Sequence, residues 1–148
     1  MGKSILDELF SFGGLNRGMT GGARKKVLVV EDNELNMRLF CDLLDAFGYD
    51  TLQCRDGARA VELAREHKPA LIVMDIQLPD VSGLDITRWI KDDESIASIP
   101  VLAVTAFAMR ADEKLVREAG CEAYLSKPIQ MRSFRSTVDG LISDRQAA

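Results

Sequence analysis

Short apolar runs alternate along this chain with longer segments in which apolar residues recur at helical spacing. The most continuous runs lie at 27–30 and 71–74, and each is followed directly by acidic residues. Runs of this kind are typical of strands that are buried on both faces of a parallel sheet, because helices cover both sides of such a sheet. The alternation therefore predicts strands and helices in regular succession.

The pattern predicts five strand–helix units. We expect strands at 27–31, 50–54, 70–75, 100–105 and 122–126, and helices at 34–47, 57–67, 84–93, 109–119 and 129–142. Parallel strands joined by right-handed helical crossovers form a doubly wound sheet. The predicted fold class is therefore α/β, with a doubly wound five-stranded parallel sheet in the flavodoxin-like strand order 2-1-3-4-5.

Helix signals support these boundaries. The first predicted helix carries an apolar stripe and meets a natural stop at Gly48. Asp56 is a plausible N-cap for the second helix, which we expect to end before Pro69. The residues of the apolar stripe in the first helix are Leu35, Leu39, Leu43, Leu44 and Phe47.

The first 24 residues differ in composition from the rest of the chain. Residues 13–22 are rich in glycine, and the only apolar stripe before them is short, formed by Ile5, Leu6, Leu9 and Phe10. A glycine-rich link behaves as a flexible tether, and one short helix is marginal in water. We therefore expect residues 1–24 to be a flexible N-terminal extension and residues 25–145 to form one domain.

Composition excludes several classes of protein. With 47% hydrophobic and 28% charged residues the profile is that of a soluble globular domain, and the formal net charge of −4 argues against nucleic acid as a partner. No apolar run is long enough to insert into a membrane. Three cysteines without CxxC spacing indicate neither a disulfide framework nor a zinc site, so we expect a reducing cytoplasmic location.

Polar side chains cluster where the predicted strands end. Glu31 and Asp32 follow the first strand, Asp75 ends the third, and Lys127 follows the fifth. The carboxyl ends of parallel strands meet at one edge of the sheet, so these four residues should converge. Two unit charges about 4 Å apart interact by roughly 4 kcal/mol at an effective dielectric of 20, so three carboxylates together favour a divalent cation. Mg²⁺ suits such a site, and Asp75 can accept a phosphoryl group beside it.

These residues carry a family resemblance. Glu31-Asp32, Asp75 with Pro79 and Gly83 behind it, Thr105-Ala106 and Lys127-Pro128 resemble the signature of receiver domains of two-component response regulators, in particular single-domain regulators of cell division. The resemblance covers residues 27 to 143 and identifies the domain at 25–145 as a receiver. Taken singly, Asp75 could merely end a buried strand. Together with Asp32 and Lys127 in the expected order, it is favoured as a functional residue.

The resemblance also implies roles for individual residues. Mg²⁺ would be held by Asp32, Asp75 and the backbone carbonyl of Gln77, with Glu31 acting through water. Lys127, before a typically cis proline, would pair with a phosphoryl oxygen. Thr105 would donate its hydroxyl to another phosphoryl oxygen, and Tyr124 would act with Thr105 as a switch.

The implied function is a phosphorylation-controlled binding module rather than a metabolic enzyme. Its expected partners are histidine kinases, phosphatases and other signalling proteins, which it would contact through the face at 109–142. The resemblance also suggests that partners recruit it to the cell poles. Because only about 20 residues follow Lys127, we expect no output domain on this chain.

Two other functions share parts of the pattern. A flavodoxin-type FMN electron carrier has the same strand order, but Glu31 and Asp32 would repel the FMN phosphate where hydroxyls and amides are needed. A phosphohydrolase with an aspartyl nucleophile usually places a second acid two positions after the first, and Gln77 stands there. Both alternatives are disfavoured.

Overall fold

Five parallel strands form one sheet at the centre of the described part of the chain. A computed structural model describes residues 23–106 and 110–147, apart from the side chains of 110–112 and 145–147. The strands are β1 (Lys26–Val30), β2 (Asp50–Cys54), β3 (Leu71–Asp75), β4 (Val101–Thr105) and β5 (Ala123–Ser126). Their spatial order is β2-β1-β3-β4-β5, and every pairing is parallel. The predicted fold class and strand order are confirmed.

In the described ranges, five helices connect and cover the strands. They are α1 (Glu34–Ala46), α2 (Ala60–His67), α3 (Gly83–Asp92), α4 (Arg110–Ala119) and α5 (Met131–Ala147). The turn ahead of α2 is a 3₁₀ turn at Gly57–Arg59, and the Asp56 side chain accepts a hydrogen bond from the Ala58 N–H, as expected of an N-cap. Within the described part of the chain, none of the helices has the length and apolar character needed to cross a bilayer.

The sheet divides the core into two layers. Along β1 the side chains alternate between them: Val27 and Val29 pack in one layer, and Leu28 and Val30 pack in the other. Successive side chains of a strand point to opposite faces of the sheet, so a strand is apolar at every position only when both faces are covered. All five residues of β3 and of β4 are buried, which is the reason for their continuous apolar sequence.

The apolar stripe of α1 is shifted from the predicted one. Leu43 and Leu44 are buried as expected, but Leu35 is 79% exposed, and its predicted place in the stripe is wrong. The buried face of α1 continues instead through Met37 and Phe40. Leu35 stands two positions before the buried Met37, and because an α-helix turns by about 100° per residue the two side chains lie on nearly opposite faces of α1.

Arg24 ties the start of the sheet to the end of α1. Its guanidinium donates hydrogen bonds to the Asp45 carboxylate at 3.0 Å, the Gly48 carbonyl at 2.9 Å and the Tyr49 carbonyl at 3.0 Å. These contacts hold the loop between α1 and β2 against the beginning of β1. Arg24 therefore packs with the domain, although the prediction assigns it to the extension; residues 1–22 lie outside the described residues.

Candidate functional site

The acidic residues meet at the carboxyl edge of the sheet. Glu31 and Asp32 directly follow β1, and Asp75 is the last residue of the neighbouring strand β3. Carboxylate oxygens of these three residues lie within 4.8 Å of one another. Glu31 and Asp75 are only 1% and 3% exposed, whereas Asp32 is exposed. The predicted convergence of the three acids is thus seen in the structure.

Lys127 supplies the nearest positive charge. Its Nζ lies 3.1 Å from Oε2 of Glu31 and 3.5 Å from Oδ2 of Asp75. The backbone N–H of Lys127 donates to the Thr105 carbonyl at 2.7 Å, which fixes the lysine beside the end of β4. The Lys127–Pro128 peptide bond is cis, as the resemblance implies. One ammonium group therefore faces a set of three carboxylates.

The pKa of Glu31 shows how charge is balanced in the acidic cluster. Burial raises the pKa of Glu31, and the nearby Asp75 carboxylate raises it further. The Asn33 N–H, which donates to Oε1 at 3.1 Å, and the Lys127 ammonium act in the opposite direction without cancelling the rise. Negative charge in this site is therefore under-compensated, which is the condition that favours a bound cation.

Replacing Glu31 should stabilise the metal-free protein near neutral pH. The pKa of Glu31 is raised in the folded state from its ordinary value of 4.5. Protonated Glu31 therefore stabilises the folded protein, and this contribution is present below that pH and is lost as pH rises through the folded pKa. We expect Glu31→Gln to raise the melting temperature at about pH 7 in EDTA, with the gain shrinking toward about pH 4. Thermal unfolding followed by circular dichroism measures this difference.

Glu34→Gln is the matched control. The pKa of Glu34 is lowered by its hydrogen bond and charge interaction with Arg55, so the same substitution there should not stabilise the protein at neutral pH. A melting temperature that falls for Glu31→Gln near neutral pH would contradict the destabilising role of the Glu31 charge.

The loop after β3 is folded tightly around Asp75. The Gln77 N–H donates to Oδ1 of Asp75 at 3.0 Å, and the Gln77 side-chain oxygen accepts a hydrogen bond from the Ala106 N–H at 3.4 Å. The Gly83 N–H donates to the Ile76 carbonyl at 3.0 Å. These bonds orient the Asp75 carboxylate and join its loop to the loop after β4.

Gly83 is required by this close packing. A Cβ atom at this position would overlap the carbonyl oxygen of Asp75 and lie 2.8 Å from Cα of Ile76. The sequence motif includes Gly83, but the pattern alone does not show that the helix α3 begins against the backbone of Asp75. Only the absence of a side chain lets α3 start there, with Ser82 as its N-cap.

Asn33 is a site residue that the sequence reasoning missed. Its N–H holds Glu31, while its side-chain oxygen accepts from the Asn36 N–H at 3.0 Å and caps α1. An asparagine directly before a helical segment is a common N-cap, so this signal was present in the sequence. The same residue thereby links the start of α1 to the acidic cluster.

Thr105 and Tyr124 lie at different positions along their strands. Thr105 ends β4 at the carboxyl edge and is 3% exposed. Tyr124 lies opposite Ala103 in the middle of β5, half-buried against the apolar layer that includes Leu28 and Val30. Thr105 thus lies at the same edge as Asp75, and Tyr124 lies further from it. Their roles in switching stay predictions.

The donor set fits a hard divalent cation. Carboxylate oxygens are preferred ligands of Mg²⁺, which usually keeps several waters and takes only a few protein ligands. Asp32 is exposed and can be approached from solvent, while Glu31 and Asp75 line the floor of the cluster. Glu31 and Asp32 follow β1 at the place where an FMN phosphate would need hydroxyl and amide donors, and the flavodoxin alternative is not favoured.

Comparison with known proteins agrees with this geometry. A sequence model of the family described as "Response regulator receiver domain" matches residues 27–139. The "Polar-differentiation response regulator DivK" of Brucella anthropi is 58% identical over 120 residues, which cover 81% of this chain and 98% of that protein. The protein of the same name from Brucella ovis is also 58% identical over 120 residues, with the same coverage of both chains.

Solved structures show the same similarity. The receiver domain of a sensor histidine kinase from Pseudomonas aeruginosa, solved with a magnesium ion in its active-site cleft, has a TM-score of 0.76 and 31% identity, covering 82% of this chain and 99% of that one. The signal receiver domain of a LuxO repressor protein from Vibrio parahaemolyticus has a TM-score of 0.77 and 28% identity, covering 84% and 95%. This chain therefore belongs to the response regulator receiver domain family.

Proposed function

We propose that this response regulator accepts a phosphoryl group on Asp75 and uses it to change its affinity for partner proteins. The observation that carries the proposal is the setting of Asp75, a buried carboxylate 3.5 Å from the Lys127 ammonium and within 4.8 Å of Glu31 and Asp32. Incubation with a phosphohistidine donor, followed by intact-mass spectrometry, tests it. One phosphoryl group per chain is expected.

The transfer itself follows from ordinary phosphoryl chemistry. An Asp75 carboxylate oxygen forms the new O–P bond while the P–N bond of the donor phosphohistidine breaks and its electron pair returns to the imidazole. The Gln77 N–H holds the other carboxylate oxygen and fixes the direction of attack. Lys127 neutralises charge on the phosphoryl oxygens. Bound Mg²⁺ would supply further charge neutralisation for the transferred group.

Four residues would hold the cation in this proposal. Asp32 and Asp75 would ligate Mg²⁺ directly together with the backbone carbonyl of Gln77, and Glu31 would act through water. The exposure of Asp32 and the engagement of Glu31 with Lys127 at 3.1 Å support this division, because the Glu31 carboxylate already has a cationic partner.

We expect Asp32→Ala to weaken Mg²⁺ binding far more than Glu31→Ala. Loss of a direct ligand should cost at least about tenfold more in affinity than loss of a water-mediated one, a difference of roughly 1.4 kcal/mol. Calorimetric titration of MgCl₂ into each variant measures this. Asp80→Ala, which removes an exposed acid from the loop after β3, is the control for general charge effects. Equal affinities for the Asp32 and Glu31 variants would reverse the two roles.

The proposed output surface is the face formed by α4, β5 and α5, within the range 109–142; Met109 lies outside the described residues. Thr105 stands between Asp75 and this face, because its strand β4 pairs with β3 on one side and β5 on the other. A rearrangement of Thr105 and Tyr124 would therefore reach α4 and β5 first. Histidine kinases, phosphatases and other signalling proteins are the partners that we propose for this face.

Addition of beryllofluoride and Mg²⁺ should shift amide resonances across this face. We expect the changes outside the pocket to concentrate on α4, β5 and α5, because Thr105 ends β4, the strand that pairs with β5. Two-dimensional NMR of the labelled protein measures the changes. Shifts that stay confined to residues 33–67 would place the output on the opposite side of the sheet and contradict the proposal.

We further propose a cytoplasmic location with recruitment to the cell poles by partners. The support is the similarity to relatives whose printed name is "Polar-differentiation response regulator DivK". In this proposal the protein acts in cell-cycle or cell-division control as a switch, and the only chemistry it catalyses is the gain and loss of its own phosphoryl group.

A further inference from the structure

A basic crevice opens at the edge of the sheet opposite Asp75. Its volume is about 430 Å³. It lies at the amino end of β1, since Lys26 begins that strand and the acidic cluster follows its other end. The crevice is lined by Arg24, Lys25, Lys26, His67, Lys68, Ala70 and Ile142. Its lining residues are thus distinct from every residue of the phosphoacceptor site.

The charge of this crevice is unusual for the chain. The protein has a formal net charge of −4, yet none of the described residues that line the crevice is acidic. Arg24 is compensated by Asp45 at 3.0 Å and Asp50 at 3.7 Å. Lys25 and Lys26 have no ion-pair partner among residues 23–106 and the described side chains beyond them. The positive charge of the crevice is therefore carried mainly by lysines rather than by Arg24.

Lys68 adds a third ammonium group. Its Nζ donates one hydrogen bond to the Ser95 carbonyl at 3.0 Å, which uses one of the three donors that a lysine has. Beside it, Nε2 of His67 lies 4.0 Å from the Glu66 carboxylate. Lys25, Lys26 and Lys68 are thus three lysines in the lining of one crevice, and none of the described residues that line it is acidic.

The backbone at Lys68 is also unusual. Lys68 ends α2 with φ of 48°, and it is the one residue other than glycine in the described ranges with a positive φ. Glycine or asparagine normally occupies this left-handed position, because a larger side chain is strained there. The sequence places a charged residue at the position where glycine would be easier, and that residue lines the crevice.

We propose that this crevice binds the polyphosphate group of a nucleotide or of a similar phosphorylated small molecule. Compact ammonium groups suit phosphate oxygens, and three of them match a group that carries several adjacent negative charges. Ala70 and Ile142 add an apolar wall on which the rest of a nucleotide can pack. The volume lies in the range of small-molecule sites. This inference does not depend on phosphorylation of Asp75.

Two-dimensional NMR of the full-length labelled protein in EDTA tests the proposal. Titration with inorganic tripolyphosphate should shift the amides of residues 25, 26, 67, 68 and 70 in a saturable way. A nucleoside triphosphate that binds more tightly than tripolyphosphate would show that the apolar wall contributes, and equal affinities would assign the site to the polyphosphate alone. A nucleoside monophosphate should bind more weakly than either.

A double variant, Lys25→Gln with Lys26→Gln, should lower the affinity at least about tenfold. Lys68→Gln provides a second, independent variant if the double one fails to fold. Lys114→Gln is the matched control, because Lys114 is 79% exposed on α4 and lies outside the crevice; its affinity should not change.

Three outcomes would overturn the proposal. One is absence of saturable shifts at millimolar tripolyphosphate. Another is a set of shifts confined to Glu31, Asp75 and Lys127, which would assign anion binding to the phosphoacceptor site. The third is an equal loss of affinity in the Lys114 control, which would show non-specific attraction to surface lysines. Each outcome leaves phosphotransfer to Asp75 unaffected, so the two proposals can fail separately.

Discussion

Asp75→Asn is expected to abolish phosphoryl incorporation from a phosphohistidine donor. The amide that replaces the carboxylate has no anionic oxygen to form the O–P bond, and no other described carboxylate has both the burial of Asp75 and its contact with Lys127 and Gln77. The fold should remain intact, because the substitution keeps the side-chain shape and removes one charge from a crowded acidic cluster. Intact-mass spectrometry with and without the donor measures the loss.

Asp80→Asn is the matched control for this experiment. Asp80 lies on the same loop, five positions after Asp75, and is exposed, so its substitution should leave phosphorylation unchanged. Circular dichroism should show the same melting temperature or a higher one for Asp75→Asn. Stable label located on another residue of the Asp75 variant, at a level near that of the unmodified protein, would show that Asp75 is not the acceptor.

Gly83→Ala should cause the largest loss of stability among substitutions by a single methyl group. The added Cβ would overlap the Asp75 carbonyl and press against Cα of Ile76, and backbone atoms cannot move aside as a flexible side chain can. Overpacking of this kind costs about 1–3 kcal/mol, and the backbone contact places Gly83 near the upper end. The melting temperature should fall by roughly 5–10 °C.

Gly140→Ala is the control that separates the effect of the backbone contact at Gly83 from the general effect of replacing a glycine by alanine. Gly140 lies within α5, where a Cβ would meet nothing within 4 Å. Alanine is the better helix former there, so this variant should be stabilised by about 0.5–1 kcal/mol. Phosphorylation of Gly83→Ala should also slow, because the displaced loop carries Gln77 away from Asp75. A Gly83 variant as stable as the Gly140 variant would contradict the packing argument.

The strand order and the edge at which the acids meet follow from sequence alone. The buried strands β1, β3 and β4 carry continuous apolar runs because helices cover both faces of the sheet. Right-handed crossovers then allow few arrangements. Because Asp75 ends one central strand and Glu31 follows its neighbour, their proximity is a consequence of parallel pairing rather than of any local motif.

Features set by end effects and by individual contacts were not predictable. Leu35 fits a helical stripe, but the sequence does not show that the buried face of α1 runs through Met37 and Phe40 instead. Arg24 stands in a basic triplet, and nothing in that triplet indicates hydrogen bonds to residues 21 to 25 positions later. The contact of Gln77 with Ala106 depends on how two loops meet. Such details are set by tertiary packing, which local patterns do not encode.

The contact between Lys127 and Glu31 makes Glu31 an internal competitor for incoming anions. In the metal-free protein the ammonium lies closer to Glu31, at 3.1 Å, than to Asp75, at 3.5 Å. An anion that approaches Lys127 competes with a carboxylate that cannot diffuse away and that is buried beside it. Weakly bound free anions are therefore at a disadvantage, and a group that forms a covalent bond or brings additional charge partners competes with Glu31 more efficiently. The buried ion pair between Lys127 and Glu31 thus disfavours binding of free anions at the site beside Asp75.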